Sequence, residues 1–304
     1  MAKQPLPIRR LGLLRKALRE FQKNDPLRMA GATAFFATFA LPAILIILIQ
    51  VFGLILDRRT LGSQLLNSLS EVIGQHSATQ LRETLRNVRQ LAHTWYIAAG
   101  LFLFLVFVST TLFKVIKDSL NQLWRIKLNK AGFRLQLRAR AKSFVAIMIA
   151  GILFLLALLA EGLFALLRKY FAQVLPQDNP TLNVLISQLV SLGLVTIWFT
   201  LVFRYLADGH TTLKVTLVGG LFTGILFTMG KFVLGFFLSY SNMQNIYGTS
   251  TSFVLLLLFI FYCSIIFYYG ACFTKVWAEF KKRPILPGRH AGKYQIADIE
   301  ELTS

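Results

Sequence analysis

Two charges stand inside stretches that are otherwise apolar, and they are the residues best placed to do chemistry. Lys231 lies within a run from about Val215 to Leu238, and Glu161 within another from about Ser143 to Leu167. A charged side chain at the centre of a membrane-crossing helix costs about 2.5–3.5 kcal/mol on insertion scales, so each needs a partner or a route to water. An ion pair would satisfy both charges, and so would a polar cavity that receives an ionic ligand. Other chemistry is poorly served. No HExxH, CxxC, GxSxG or Walker A pattern is present, Glu300-Glu301 lies in a polar tail, and Asp118 stands beside Lys117. Hydrolytic or nucleolytic activity is therefore not expected, and no metal or organic cofactor is called for. Cys263 and Cys272 lie nine residues apart in one apolar run. That spacing is about 13.5 Å of helical rise, which forbids a disulfide within the helix.

The elements that must position Lys231 and Glu161 follow from composition. Of 304 residues 55% are hydrophobic, and mean hydropathy is +0.59, too apolar for an ordinary soluble domain. The reading is an all-α polytopic membrane protein with spans near 30–56, 95–116, 143–167, 183–206, 215–238 and 251–274. These make a six-helix membrane domain over 29–280, preceded by a basic amphipathic segment (1–28) and followed by a polar tail (281–304). The tail is expected to lose order from about Gly288.

Counting from the third and fifth spans' outer ends, Glu161 lies about 6 residues in and Lys231 about 7, roughly 9 and 10 Å. The two charges should therefore sit at nearly equal depth and face one another or share a polar pocket.

The net charge of +20 gathers between the apolar runs, which favours an anionic lipid surface over a duplex groove. The segments on the side of the termini carry 25 of the 33 lysines and arginines, the opposite segments 7, and the last is Lys231. The positive-inside rule then makes both termini cytoplasmic. Arg9, Arg10, Arg15, Lys16 and Arg19 interrupt any secretory h-region, so the first span is expected to act as its own targeting signal.

Surface helices accompany the spans. Leu11, Leu14, Leu18 and Phe21 recur at helical spacing among basic residues, as in a helix lying on a membrane. Between the first two spans, one apolar stripe runs Leu61, Leu65, Leu69, Ile73 and another Leu81, Leu85, Val88, Leu91, with Gly74 as the break. Ala30, Gly31, Ala32, Ala34 and Ala37 before Pro42, and Gly220, Gly224 and Gly230 in the fifth span, permit close helix approach or, at the glycines, a hinge. Expected partners are membrane lipids, with anionic lipid at the cytoplasmic face. Nucleic acid is not expected, and a homo-oligomer is left open.

Four stretches give this arrangement a resemblance. They are Ala34-Phe35-Phe36 to Pro42, then Asp118-Ser119-Leu120-Asn121 with Trp124-Arg125, then Gly230-Lys231, and finally Tyr247-Gly248 followed after one apolar run by Gly270-Ala271. In order and spacing the chain resembles the YihY/BrkB family of bacterial inner-membrane proteins over about Asp25 to Glu279. It departs where the family usually has Gly-Ala-Glu and this chain has Gly270-Ala271-Cys272, in lacking a proline around Tyr205-Leu206-Ala207, and in an Ala34–Pro42 interval one residue short. The resemblance implies six helices and the bacterial cytoplasmic membrane. The ribonuclease label once attached to that family finds no support in these residues. The expected role is transport-like handling of a lipid or other envelope component, with structural scaffolding of the envelope as the competing class.

Overall fold

Apolar runs this long have no water to satisfy their peptide groups inside a bilayer, so each must close its hydrogen bonds within itself as a helix. The computed structural model describes residues 10–52, 63, 66–67, 78–79, 81–83, 85–86, 95–128, 180–240, 251–288 and 291–294. Its helices are α1 (Arg10–Gln22), α2 (Pro26–Phe52), α3 (Trp95–Leu123), α4 (Pro180–Tyr205), α5 (Leu213–Tyr240) and α6 (Thr251–Phe280). The expected third span near 143–167, with Glu161, lies outside the described residues, as does the turn holding Tyr247 and Gly248. Among the described residues, Leu213–Val233 and Phe253–Phe280 are long and apolar enough to cross a membrane, and Ser191–Tyr205 is a shorter apolar helix.

Helix α6 is the axis, packing against α1, α2, α3 and α5. Its seam with α5 is reciprocal. A Cβ on Gly219 would collide with Thr274, and a Cβ on Gly270 would collide with Thr223. Each threonine donates its hydroxyl back to the glycine one turn earlier on its own helix, Thr223 to the Gly219 carbonyl at 2.7 Å and Thr274 to that of Gly270 at 2.8 Å. The hydroxyls are satisfied without crossing the interface, so small residues bring the two backbones together. The other side of α5 repeats the device. A Cβ on Gly220 would stand 2.7 Å from the Thr196 carbonyl oxygen of α4, and one on Gly224 would stand 3.0 Å from Thr196 Oγ1.

Aromatic stacking fills the rest of the core. Phe267 of α6 stacks on Phe203 of α4 with centroids 5.3 Å apart, and Phe222 of α5 stacks on Phe273 of α6 at 4.0 Å. Against α3, the small side chains Ala37 and Ala40 of α2 pack on Val108 and Leu112. Pro42 lies buried within α2, which continues through it to Phe52. Tyr268 of α6, fully buried, shares a hydrogen bond of 2.5 Å with Thr33 of α2. Of the second amphipathic stripe between α2 and α3, Leu81 and Leu85 are buried with Ala78, whereas Arg82, Glu83 and Arg86 are exposed, the pattern of a half-buried helix.

The tail corrects its expectation. Within the described residues, which past Gly288 are 291–294, the chain pairs strand β3 (Leu286–Pro287) with β2 (Gly209–His210), and β4 (Ala291–Lys293) with β1 (Ile126–Leu128), both antiparallel. Ile285 is buried in the core, and the Gly288 amide donates to the Asp208 carbonyl at 2.8 Å. One apolar anchor and these backbone bonds fix a segment whose polar composition alone suggests disorder.

The glycine seams give a matched pair of substitutions. Gly220→Ala drives a methyl into α4 backbone that cannot rotate away, and overpacking of this kind costs about 1–3 kcal/mol. Gly31, with nothing within 4 Å of a Cβ, should accept alanine without loss. Thermal unfolding in detergent should show a lowered midpoint for Gly220→Ala only.

Candidate functional site

Lys231 lies 18 residues beyond Leu213 on α5, about 27 Å along the helix, near the end remote from α1. The half-buried ammonium lines a cleft of about 100 Å³ between α4 and α5. Gln188 and Ser191 of α4 and Thr228 of α5 supply its polar walls, and Val195, Phe227 and Phe232 its apolar ones. A cleft of that size, with a cation and three polar side chains on its walls, suits a small anionic group rather than a whole lipid. Gly230 beside it is buried beneath Tyr262, where an added Cβ would lie 2.5 Å from the phenol oxygen, so α5 and α6 approach closely next to the cleft. Glu161, the expected counterpart, is outside the described residues.

A second polar constellation closes the opposite end of the bundle, where α2 and α5 start and α3, α4 and α6 finish. It can be called the collar. Asp208, in the turn between α4 and α5, is its first centre. Its Oδ1 meets Lys117 Nζ at 2.8 Å and its Oδ2 accepts from Asn121 Nδ2 at 2.9 Å, while its own amide donates to Asn121 Oδ1 at 3.0 Å. Both ends of the buried Asn121 amide are used, so the last turns of α3 are keyed to this one turn. Asp118, one residue along from Lys117, is exposed.

Glu20 is the second centre. Its Oε2 accepts from Lys275 Nζ of α6 at 2.9 Å and from Arg125 Nη2 at 3.3 Å, joining α1, α6 and the end of α3. Burial alone would raise this carboxyl's pKa, but the hydrogen bond and charge of Lys275, with Arg125 and Lys23, hold it below the usual carboxylate range. Arg125 turns the chain with φ 56°, a left-handed conformation uncommon for a side chain of its size. Its amide donates to Gln122 O at 3.0 Å and its carbonyl accepts the Tyr294 amide at 3.1 Å. Trp124, 2% exposed, donates its indole N–H to the Ala271 carbonyl at 3.1 Å.

The sequence-expected positions therefore fall into separate places. Lys231 and Gly230 line the remote half, Asn121, Trp124 and Arg125 build the collar, and Gly270 forms the seam with Thr223. Cys272, beside Gly270-Ala271, is wholly buried in the core cluster. Glu20, Asp208 and Lys275 escape a reading by motif. The usable signal for Glu20 is that it stands as the one acid in an otherwise basic amphipathic helix.

Asp208→Ala strands Lys117 and Asn121 together and should cost at least about 1–3 kcal/mol. Adding Lys117→Met should recover part of that loss, because the uncompensated ammonium is removed. Glu20 has a folded pKa below its unfolded value near 4.5, so its pairing stabilises the fold fully above that value. That contribution disappears as pH falls through the lower folded pKa. Acid unfolding followed by circular dichroism should show a shallower fall in stability for Glu20→Gln than for the parent chain.

The family model described as Virulence factor BrkB matches residues 17–293. Among curated proteins, a "UPF0761 membrane protein" of Saccharophagus degradans is 24% identical over 262 residues, covering 86% of this chain and 58% of that protein. The protein of that name in Azotobacter vinelandii is 24% identical over 285 residues, covering 90% and 66%. A third, from Actinobacillus pleuropneumoniae serotype 5b, is 27% identical over 184 residues, covering 59% and 63%. The chain thus spans about three fifths of the length of these relatives. No solved structure matches it. With the family match running from within α1 to the last strand, over apolar helices packed on one axis, the chain is a helical membrane protein and belongs to the virulence factor BrkB family.

Proposed function

We propose that the protein is a six-span protein of the bacterial inner membrane, with both termini cytoplasmic, that handles a lipid or other envelope component in a transport-like way. No catalytic step forms part of this reading. It is carried by the Lys231 cleft, where an ammonium, an amide and two hydroxyls gather in a stretch of helix otherwise built for lipid. A charged side chain within a membrane faces a polar cavity or a partner, and an anionic headgroup entering this cleft would supply that partner. The helix directions support six spans: α3 and α4 both finish at the collar, joined there by Asn121 and Asp208, as a chain with one further crossing between them requires. The collar also gathers Lys117, Arg125 and Lys275, in keeping with a cytoplasmic face under the positive-inside rule.

A scaffolding role in envelope integrity is the second reading, favoured by the interlocked glycine–threonine seams that pack α4, α5 and α6 tightly. Liposomes containing labelled phosphatidylglycerol separate the two. The transport-like reading expects the wild-type chain to move the label between leaflets. Lys231→Met should move it at least roughly tenfold more slowly, the worth of one lost charge-assisted hydrogen bond. Equal rates for the two proteins, at equal thermal stability, would remove Lys231 from the function; no movement by either would leave scaffolding.

A further inference from the structure

From Leu13 to Gln22, helix α1 divides its surface into two faces. Its inward positions are Leu13, Lys16, Ala17, Glu20 and Phe21, all buried or half-buried. Leu13 and Ala17 pack on Phe273 and Val276 of α6 and against Val218 and Phe222 of α5. Lys16 pairs with Glu279 at 3.0 Å, and Glu20 with Lys275 and Arg125. The outward positions are Leu14, Arg15, Leu18, Arg19 and Gln22, all exposed, with exposed Lys23 just beyond. Leu14 and Leu18 are 39% and 43% exposed although they are apolar.

Among the described residues no carboxylate stands on that outward face. Of the nearby acids, Glu20 and Glu279 are engaged inward, and Asp25, past the end of the helix, lies 3.8 Å from Arg28. The described face therefore alternates leucine with basic residues, and a leaflet of anionic phospholipid is its complement.

Depth supports the same partner. Val218 and Phe222, which α1 covers, lie 5 and 9 residues beyond Leu213, about 8 and 14 Å along α5. Leu217 and Leu221, one position before each, are exposed and apolar. Helix α1 is thus seated beside the first turns of a membrane-crossing helix rather than beyond its end. That is the level at which an interfacial helix buries its apolar side chains, roughly 5–10 Å into the boundary between headgroups and acyl chains. A hydrogen bond from Tyr269 of α6 to the Leu14 carbonyl, 3.3 Å, holds it there.

We infer that the outward face of α1 docks on an anionic phospholipid leaflet, Leu14 and Leu18 entering its apolar edge while Arg15, Arg19 and Lys23 meet its phosphates. Because the inward face grips α6 through Glu20 and Lys16, the leaflet's charge is coupled directly to the axis of the bundle. This surface is separate from the Lys231 cleft at the remote end of α5.

The test uses the full chain in neutral detergent micelles, titrated with phosphatidylglycerol or with phosphatidylcholine while the thermal unfolding midpoint is followed. Phosphatidylglycerol should raise the midpoint more than phosphatidylcholine, and 0.5 M salt should shrink the difference. Replacing Arg15, Arg19 and Lys23 together by glutamine should weaken the apparent affinity for phosphatidylglycerol roughly 100-fold, at about fivefold per basic residue. The single variant Arg19→Gln, with a roughly fivefold loss, serves if the triple variant fails to fold. The same three replacements made alongside Lys231→Met should cause the same fold-loss, which separates docking on α1 from headgroup binding in the Lys231 cleft. Equal shifts with both lipids, an unchanged response in the arginine variants, or an equal shift with a soluble polyanion in place of lipid would each overturn the inference.

Discussion

Everything in this bundle depends on how closely α5 can approach its two neighbours. A helix with ordinary side chains keeps its partners 8–10 Å away, but α5 carries glycine on two adjoining faces. Gly219 receives Thr274 of α6, and Gly220 with Gly224 receives Thr196 and Thr200 of α4. In lipid there is no hydrophobic gain from merely bringing helices together, so contact area and satisfied hydroxyls must hold them. Thr200, Thr223 and Thr274 meet both needs, since each back-bonds to its own helix and leaves its outer surface free to fill the groove opposite.

The collar works by a different physics. Its pairs are charged, partly shielded from water and bridged by hydrogen bonds, so removing one partner costs more than breaking an exposed ion pair. Asp208 and Glu20 sit where the chain would otherwise leave helix ends unsupported. The first binds α3 to the turn before α5, and the second binds α1 and α6 to Arg125. The tail then crosses the same end as a strap, pairing with residues after α3 and with that same turn. Three means of attachment converge on residues 117–128 and 205–210.

The sequence makes the helices legible because apolar runs of membrane length leave the backbone no other choice. It makes the small-residue contacts partly legible, since Gly220 and Gly224 stand four apart on one helix face. Helix limits are harder. The apolar run of α3 ends near Ile116, yet the helix continues to Leu123, because Lys117 and Asn121 find partners in Asp208 that hydropathy cannot register. The same reasoning extends α6 to Phe280 past the buried Lys275. Glu20 and Lys275 lie 255 positions apart, and no local pattern announces that they will meet. The tail's polarity hid its role for a related reason, since strand pairing spends backbone groups, which composition does not report.

One consequence concerns where the α4–α5 pair can give way. The glycine contacts fasten the two helices over Thr196–Thr200 and Gly220–Gly224, and the turn at Asp208 closes them below. Beyond Val195 and Phe227 that lock ends, and the cleft containing Lys231 begins. On its other side Gly230 sits under Tyr262 of α6, so the α5 wall of that cleft is held by a close helix contact of its own and any change in the cleft's width falls to the α4 wall.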